Sequence, residues 1–150
     1  MEINGLPLHP LVVHAAVVLG PLGAVTAIVY ALVPRWRDRL RWPMLALAAL
    51  ATACIWAAYL TGTNFRSSAR FDAASGAWLE RLDKHQSLAR KLRWVTSGFF
   101  VVALVSAWLH ERTGAVRVVL GALLAASAIA TLVYVALTGD AGARAVWSGG

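Results

Sequence analysis

The side chains best suited to chemistry in this sequence are His9, His14, His85 and His110, since a neutral imidazole is the commonest metal ligand and changes charge near neutral pH. Two neutral imidazoles from facing helices are the usual ligands of a b-type haem, and His14 with His85 is the preferred pair, with His9 as the alternative. Arg81, Lys84 or Arg144 would then pair with the haem propionates. A second arrangement sets His9, His14, His85 and Asp140 around one zinc, copper or iron ion. A third uses no cofactor: each histidine makes a structural hydrogen bond to a neighbouring helix or to Asp140. Asp140 either orients a ligand histidine from behind or pairs with Arg144. His110, beside Glu111 and Arg112, reads as a solvated helix end. Neither H-x-x-x-H nor C-x-x-C spacing occurs. No Ser/His/Asp order, glycine-rich phosphate loop or paired carboxylate supports a hydrolase or a nucleotide enzyme.

The elements that must position these residues follow from composition. Of 150 residues, 59% are hydrophobic and only 14% charged, with a mean hydropathy of +0.65. An ordinary soluble domain carries about a quarter charged residues. Soluble globular, disordered and disulfide-scaffold classes are therefore excluded, and Cys54, the one cysteine, cannot form an intramolecular disulfide. The net charge of +7 fits anchoring at a membrane surface, and no nucleic-acid motif accompanies it. A hydrocarbon core about 30 Å thick needs roughly 20 apolar residues. Uncharged runs occupy 10–33, 43–60 and 94–109, and a fourth apolar run, 116–137, carries only Arg117 near its start. Leu88 and Leu92 extend the third backwards past Arg90, Lys91 and Arg93, whose long stems can snorkel, to a start near Asp83, where Asp83 and Gln86 resemble a capping box.

The expected fold is all-α: an integral membrane four-helix bundle with helices near 10–33, 43–60, 84–109 and 116–137, and a lipid bilayer as its first partner. The first run follows Glu2 rather than a basic segment, is long for a signal h-region and lacks a clear cleavage site, so it is expected to be kept. Arg35, Arg37, Arg39 and Arg41 crowd the first connection, and Arg112 and Arg117 flank the third, which puts both termini on the outer face. Arg66, Arg70, Arg81 and Lys84 in the longer second connection run against this, but long loops weigh less. Phe71, Trp78, Leu79 and Leu82, opposite Arg70, Glu80, Arg81 and Lys84, suggest an amphipathic loop over 66–83 lying on the interface. Trp147 suits an interfacial anchor. Tyr59, Tyr134 and the tryptophans read as packing or interfacial residues.

That topology brings His9, His14, His85, Asp140 and Arg144 to one face. His85, Leu88, Leu92, Val95 and Phe99 share a helical stripe, so His85 is expected to point into the bundle. An uninterrupted third helix puts His85 about 13 Å outward of Trp94, a level that suits His9 better than His14. Leu60-Thr61-Gly62 and Leu137-Thr138-Gly139 form the echo a duplicated helical hairpin would leave, although three common residues also recur by chance. Small residues line the second helix (Ala46, Ala49, Ala53, Ala57) and the fourth (Gly121, Ala125, Ala128). They mark helix contacts within the bundle or between copies of the chain.

The stretch Gly5-Leu6-Pro7-Leu8-His9-Pro10-Leu11-Val12-Val13-His14, Thr61-Gly62, His85 and the ending from Gly139 through Asp140 and Arg144 to Trp147 together resemble a bacterial membrane-protein family, domain of unknown function 2231. The family usually follows its second histidine with Phe-Pro, where this chain has Ala15-Ala16. The resemblance implies four helices in a bacterial inner membrane and no established activity. Some members are fused to Rieske-type iron–sulfur domains, which tilts the expectation toward redox chemistry. The leading expectation is haem b or metal binding at the outer face, with electron transfer to a redox partner there. The alternative is a cofactor-free scaffold or accessory subunit, and an enzymatic activity of its own is not expected. A transporter would have only Thr26, Thr52, Ser106, Ser127 and Thr131 to build a polar path.

Overall fold

The computed structural model describes the backbone of residues 2–3, 6–66 and 76–147, and the side chains of 9–64 and 76–145. A minimal antiparallel ladder, β1 (Glu2–Ile3) with β2 (Leu6–Pro7), precedes four helices: α1 (Leu8–Leu32), α2 (Arg37–Arg66), α3 (Ala77–Trp108) and α4 (Gly114–Trp147). A 3-10 turn at Pro34–Trp36 joins α1 to α2. Gly76 and Gly114 sit at the heads of α3 and α4 with φ of 61° and 63°, the left-handed region that glycine enters without strain.

The helices outrun the apolar segments that reveal them. α2 begins before Pro43, and α4 continues ten residues past Leu137. Uncharged runs mark what hydrocarbon can cover, whereas a helix continues wherever its backbone bonds and packing are satisfied. α3 starts at Ala77, so Asp83 and Gln86 lie inside it and do not cap it. Of the expected amphipathic loop, 77–83 is the first part of α3, and Trp78 Nε1–H donates to the Ala145 carbonyl of α4 at 2.9 Å. Arg70 and Phe71 lie outside the described residues, as does the side chain of Trp147. Helix α3 is thus continuous through His85.

Three helical segments, His9–Leu32, Pro34–Asn64 and Gly114–Ala145, are long and apolar enough to cross a membrane. The charged head of α3 keeps it from matching them, yet it packs in the same ring, α1 beside α2, α2 beside α3, α3 beside α4 and α4 beside α1. Small residues supply much of the core, with Ala24, Ala27, Ala48, Ala51, Ala103 and Ala128 fully buried beside Tyr30, Met44, Phe99 and Leu124, while Val18, Val118 and Trp108 face outward. Small residues at helix contacts suit lipid, because helices in hydrocarbon associate by close backbone approach. At Gly23 an added Cβ would meet the Leu47 backbone at 3.3 Å.

The two hairpins bury matching positions. Ala16, Gly20, Gly23, Ala27 and Tyr30 are buried on α1, and Leu92, Thr96, Phe99, Ala103 and Ser106 are buried on α3, each displaced by the interval that separates His9 from His85. Met44, Ala48, Ala51 and Ile55 on α2 match Leu124, Ala128, Thr131 and Val135 on α4, at the interval separating Gly62 from Gly142. Gly62 therefore corresponds to Gly142. The Leu-Thr-Gly echo, which pairs it with Gly139, is one helical turn out of register.

Candidate functional site

The repeat places one histidine at the head of α1 and one near the head of α3, and each ring leans on the partner helix of its own hairpin. His9 Nδ1 lies 3.1 Å from the Ala58 carbonyl and 3.2 Å from Thr61 Oγ1. Thr61 spends its own proton on the carbonyls of Ala57 and Ala58, so both neighbours accept and Nδ1 carries the hydrogen. His85 Nδ1 likewise donates to the Thr138 carbonyl at 3.0 Å. Glycine makes room for both rings: an added Cβ at Gly62 would come within 2.9 Å of His9, and one at Gly142 within 3.0 Å of His85.

Both imidazoles line one cleft at this end of the bundle. Its walls come from all four helices, with Val13 and Ala16, Ile55 and Tyr59, Ala89 and Leu92, Val135 and Thr138 facing in, and it encloses about 520 Å³ counted out to its open mouth. Small-molecule sites are mostly apolar with a few fixed polar groups, and this lining has that character. The Thr138 hydroxyl in this wall is buried without a hydrogen-bond partner. With hydrogen on Nδ1, the lone pair of each imidazole is on Nε2, the arrangement by which a carbonyl orients a ligating histidine.

The other expected site residues are placed differently. His14 is exposed on the outside of α1, and its Nδ1 bonds the Pro10 carbonyl of its own helix at 2.7 Å, so the structure joins His85 with His9 and not with His14. Asp140 and Arg144 are exposed and paired with each other at 2.8 Å. Lys84 is exposed and Arg81 half-buried, and neither lines the cleft. Among the described residues no three His, Cys, Asp or Glu side chains converge to hold a metal ion. Cys54 is half-buried and packs with Tyr134 against the core cluster containing Ile55 and Leu92. Thr26, Thr52, Ser127 and Thr131 each donate to a carbonyl of their own helix, while the Ser106 hydroxyl is buried without a partner.

At the opposite end lies a cluster that sequence reasoning missed. His110 is not solvated: its side chain is 11% exposed, and its Nε2 lies 2.9 Å from Asp38 Oδ1. Its Nδ1 lies 2.9 Å from the hydroxyl of buried Tyr30, which also lies 3.0 Å from the Ser106 carbonyl. The hydroxyl has one proton. It is shared between two possible acceptors, the Ser106 carbonyl and Nδ1 of His110. Arg37 stacks on Tyr30, and Arg41 Nε donates to the Ala107 carbonyl at the end of α3. Only the arginine-rich connection hinted at this cluster, since nothing in linear order pairs Tyr30 with His110.

A model of the family described as predicted membrane protein (DUF2231) matches residues 5–150, so the chain belongs to that family. No curated protein and no solved structure matches it.

Proposed function

Proceeding from that membership, we propose that this is a small bacterial inner-membrane protein. It crosses the bilayer four times with both termini outside, and its terminal cleft takes a b-type haem between His9 and His85. Bound there, the haem would supply one-electron chemistry, passed to a partner protein at the outer face. The observation that carries this reading is the matched pair of imidazoles lining one apolar cleft, each with Nδ1 held by a backbone carbonyl so that Nε2 bears the lone pair. The unpartnered Thr138 hydroxyl in the wall fits a bound group as well. A haem needs only two protein ligands, whereas a mononuclear ion would need a third that the described residues do not bring together. Lys84 and Arg81, near His85 on α3, remain the nearest candidates for the propionates, while Arg144 is committed to Asp140.

The test is titration of the detergent-purified protein with haemin. A saturable Soret shift in the parent and in His14→Leu, lost in His9→Leu and in His85→Leu, is expected; equal binding by all four proteins would overturn it. The same hydrogen bonds favour a second reading, in which each imidazole pins its hairpin and the protein is a cofactor-free scaffold. That reading predicts no saturable spectral change in any variant, with loss of thermal stability in His9→Leu and His85→Leu. A reporter fused after Gly150, active only when outside, tests the orientation.

A further inference from the structure

The two grooves between the hairpins are equivalent in backbone and unlike in chemistry. In the α1–α4 groove stand Val17, Val18 and Pro21 opposite Ala136 and Gly139. The corresponding positions of the α2–α3 groove hold Arg93, Trp94 and Ser97 opposite Trp56 and Tyr59. There the Arg93 guanidinium carbon sits 4.1 Å from the Tyr59 ring centre, 4.9 Å from that of Trp56 and 5.2 Å from that of Trp94. Trp56 is fixed by its Nε1–H bond to Ser97 Oγ at 3.0 Å and by an edge-on contact with Trp94. The cradle is thus prebuilt, and the hairpin fold does not require it, since the other groove does without.

Its charge is only partly answered. Arg93 Nε is buried and has no hydrogen-bond acceptor. Aromatic faces attract a guanidinium but accept no conventional hydrogen bond, and a guanidinium remains charged at any ordinary pH. Nε itself is closed off, and position supplies a partner for the remaining guanidinium nitrogens. Arg93 directly precedes the uncharged stretch that begins at Trp94, and Trp56 and Tyr59 close the apolar run of α2, which is the level of an aromatic belt and of lipid phosphates. Arg90, one turn nearer the helix head, and Lys91 are exposed beside it.

We propose that Arg93, with Arg90 and Lys91, binds the phosphodiester of an anionic glycerophospholipid at the outer end of the α2–α3 groove. The flat guanidinium matches two phosphate oxygens, and the aromatic stack holds it ready. The surplus of cations disfavours headgroups that carry a positive charge of their own. This inference rests on the reading of the bundle as membrane-spanning.

The experiment is thermal unfolding of delipidated protein in detergent, followed by tryptophan fluorescence, with phosphatidylglycerol, phosphatidylcholine or inorganic phosphate added. Phosphatidylglycerol is expected to stabilise the parent at about tenfold lower concentration than phosphatidylcholine, with inorganic phosphate inert at the same concentrations. R93Q is expected to lose that preference, while R112Q, at the other end, keeps it. If R93Q fails to fold, R93K carries the comparison, because lysine keeps the charge without the fork or the stack, and it too is expected to lose the preference. A preference surviving in R93Q or R93K, or an equal effect of inorganic phosphate, overturns the assignment. Failure of the membrane reading looks different: the protein would stay folded and monodisperse without detergent.

Discussion

At one end of the bundle the two hairpins repeat each other closely, and at the other they do not. His9 and His85 hold corresponding places, each with Nδ1 on a carbonyl and its ring against a glycine, and an open cleft lies between them. At the far end the matching positions are Tyr30 and Ser106, and the tyrosine hydroxyl meets its counterpart's own carbonyl at 3.0 Å. Two tyrosines would crowd that shared space and two serines would leave it empty, so one large and one small residue close the core. Symmetry is kept where two identical groups face a common cavity and given up where the bundle is sealed. The open end carries the cleft, and the Tyr30–His110–Asp38 cluster closes the other end as a clasp.

The largest effects are expected at the histidines. His9→Leu together with His85→Leu should reduce haemin affinity at least about 100-fold, since both axial bonds are lost, while His14→Leu leaves it within about twofold; a Soret titration reads both. Filling the glycines comes next. Gly62→Val and Gly142→Val should each destabilise the protein by about 1–3 kcal/mol through overpacking, and equally, because the repeat makes the two sites alike; denaturant titration in mixed micelles checks this. At the clasp, Tyr30→Phe should cost about 1–3 kcal/mol by removing the hydroxyl that the Ser106 carbonyl and His110 Nδ1 share, with haemin affinity unchanged in the same titration. Asp38→Asn should be milder, under about 1 kcal/mol, because that carboxylate is 92% exposed and water screens the pair. Smallest of all is Asp140→Ala, at about 0.3–0.5 kcal/mol for an exposed i, i+4 pair.

Much of the architecture was legible because lipid imposes a simple rule on sequence. Runs of about 20 uncharged residues and stripes of alanine point to helices in contact whatever their neighbours are. Helix ends were less legible: Asp83 with Gln86 has the form of a cap, but the helix had already begun at Ala77. The stripe running from His85 to Phe99 placed His85 correctly inside the bundle, because helical periodicity is a local property. Choosing its partner was not a local question. His14 lies nearer the hydrocarbon and looks the more deliberate, yet it satisfies itself on Pro10 one turn back, whereas His9 turns inward toward Ala58. Arg93 drew notice only as a snorkelling cation, since its three aromatic neighbours gather from two helices.

Whether the matched histidines hold a haem is read from the oxidised and dithionite-reduced absorption spectra of the protein purified in mild detergent from haem-replete cells. A Soret band with sharp α and β bands on reduction is expected in the parent and in His14→Leu, with neither feature in His9→Leu. A colourless parent, well folded and free of metal by elemental analysis, would contradict the haem reading.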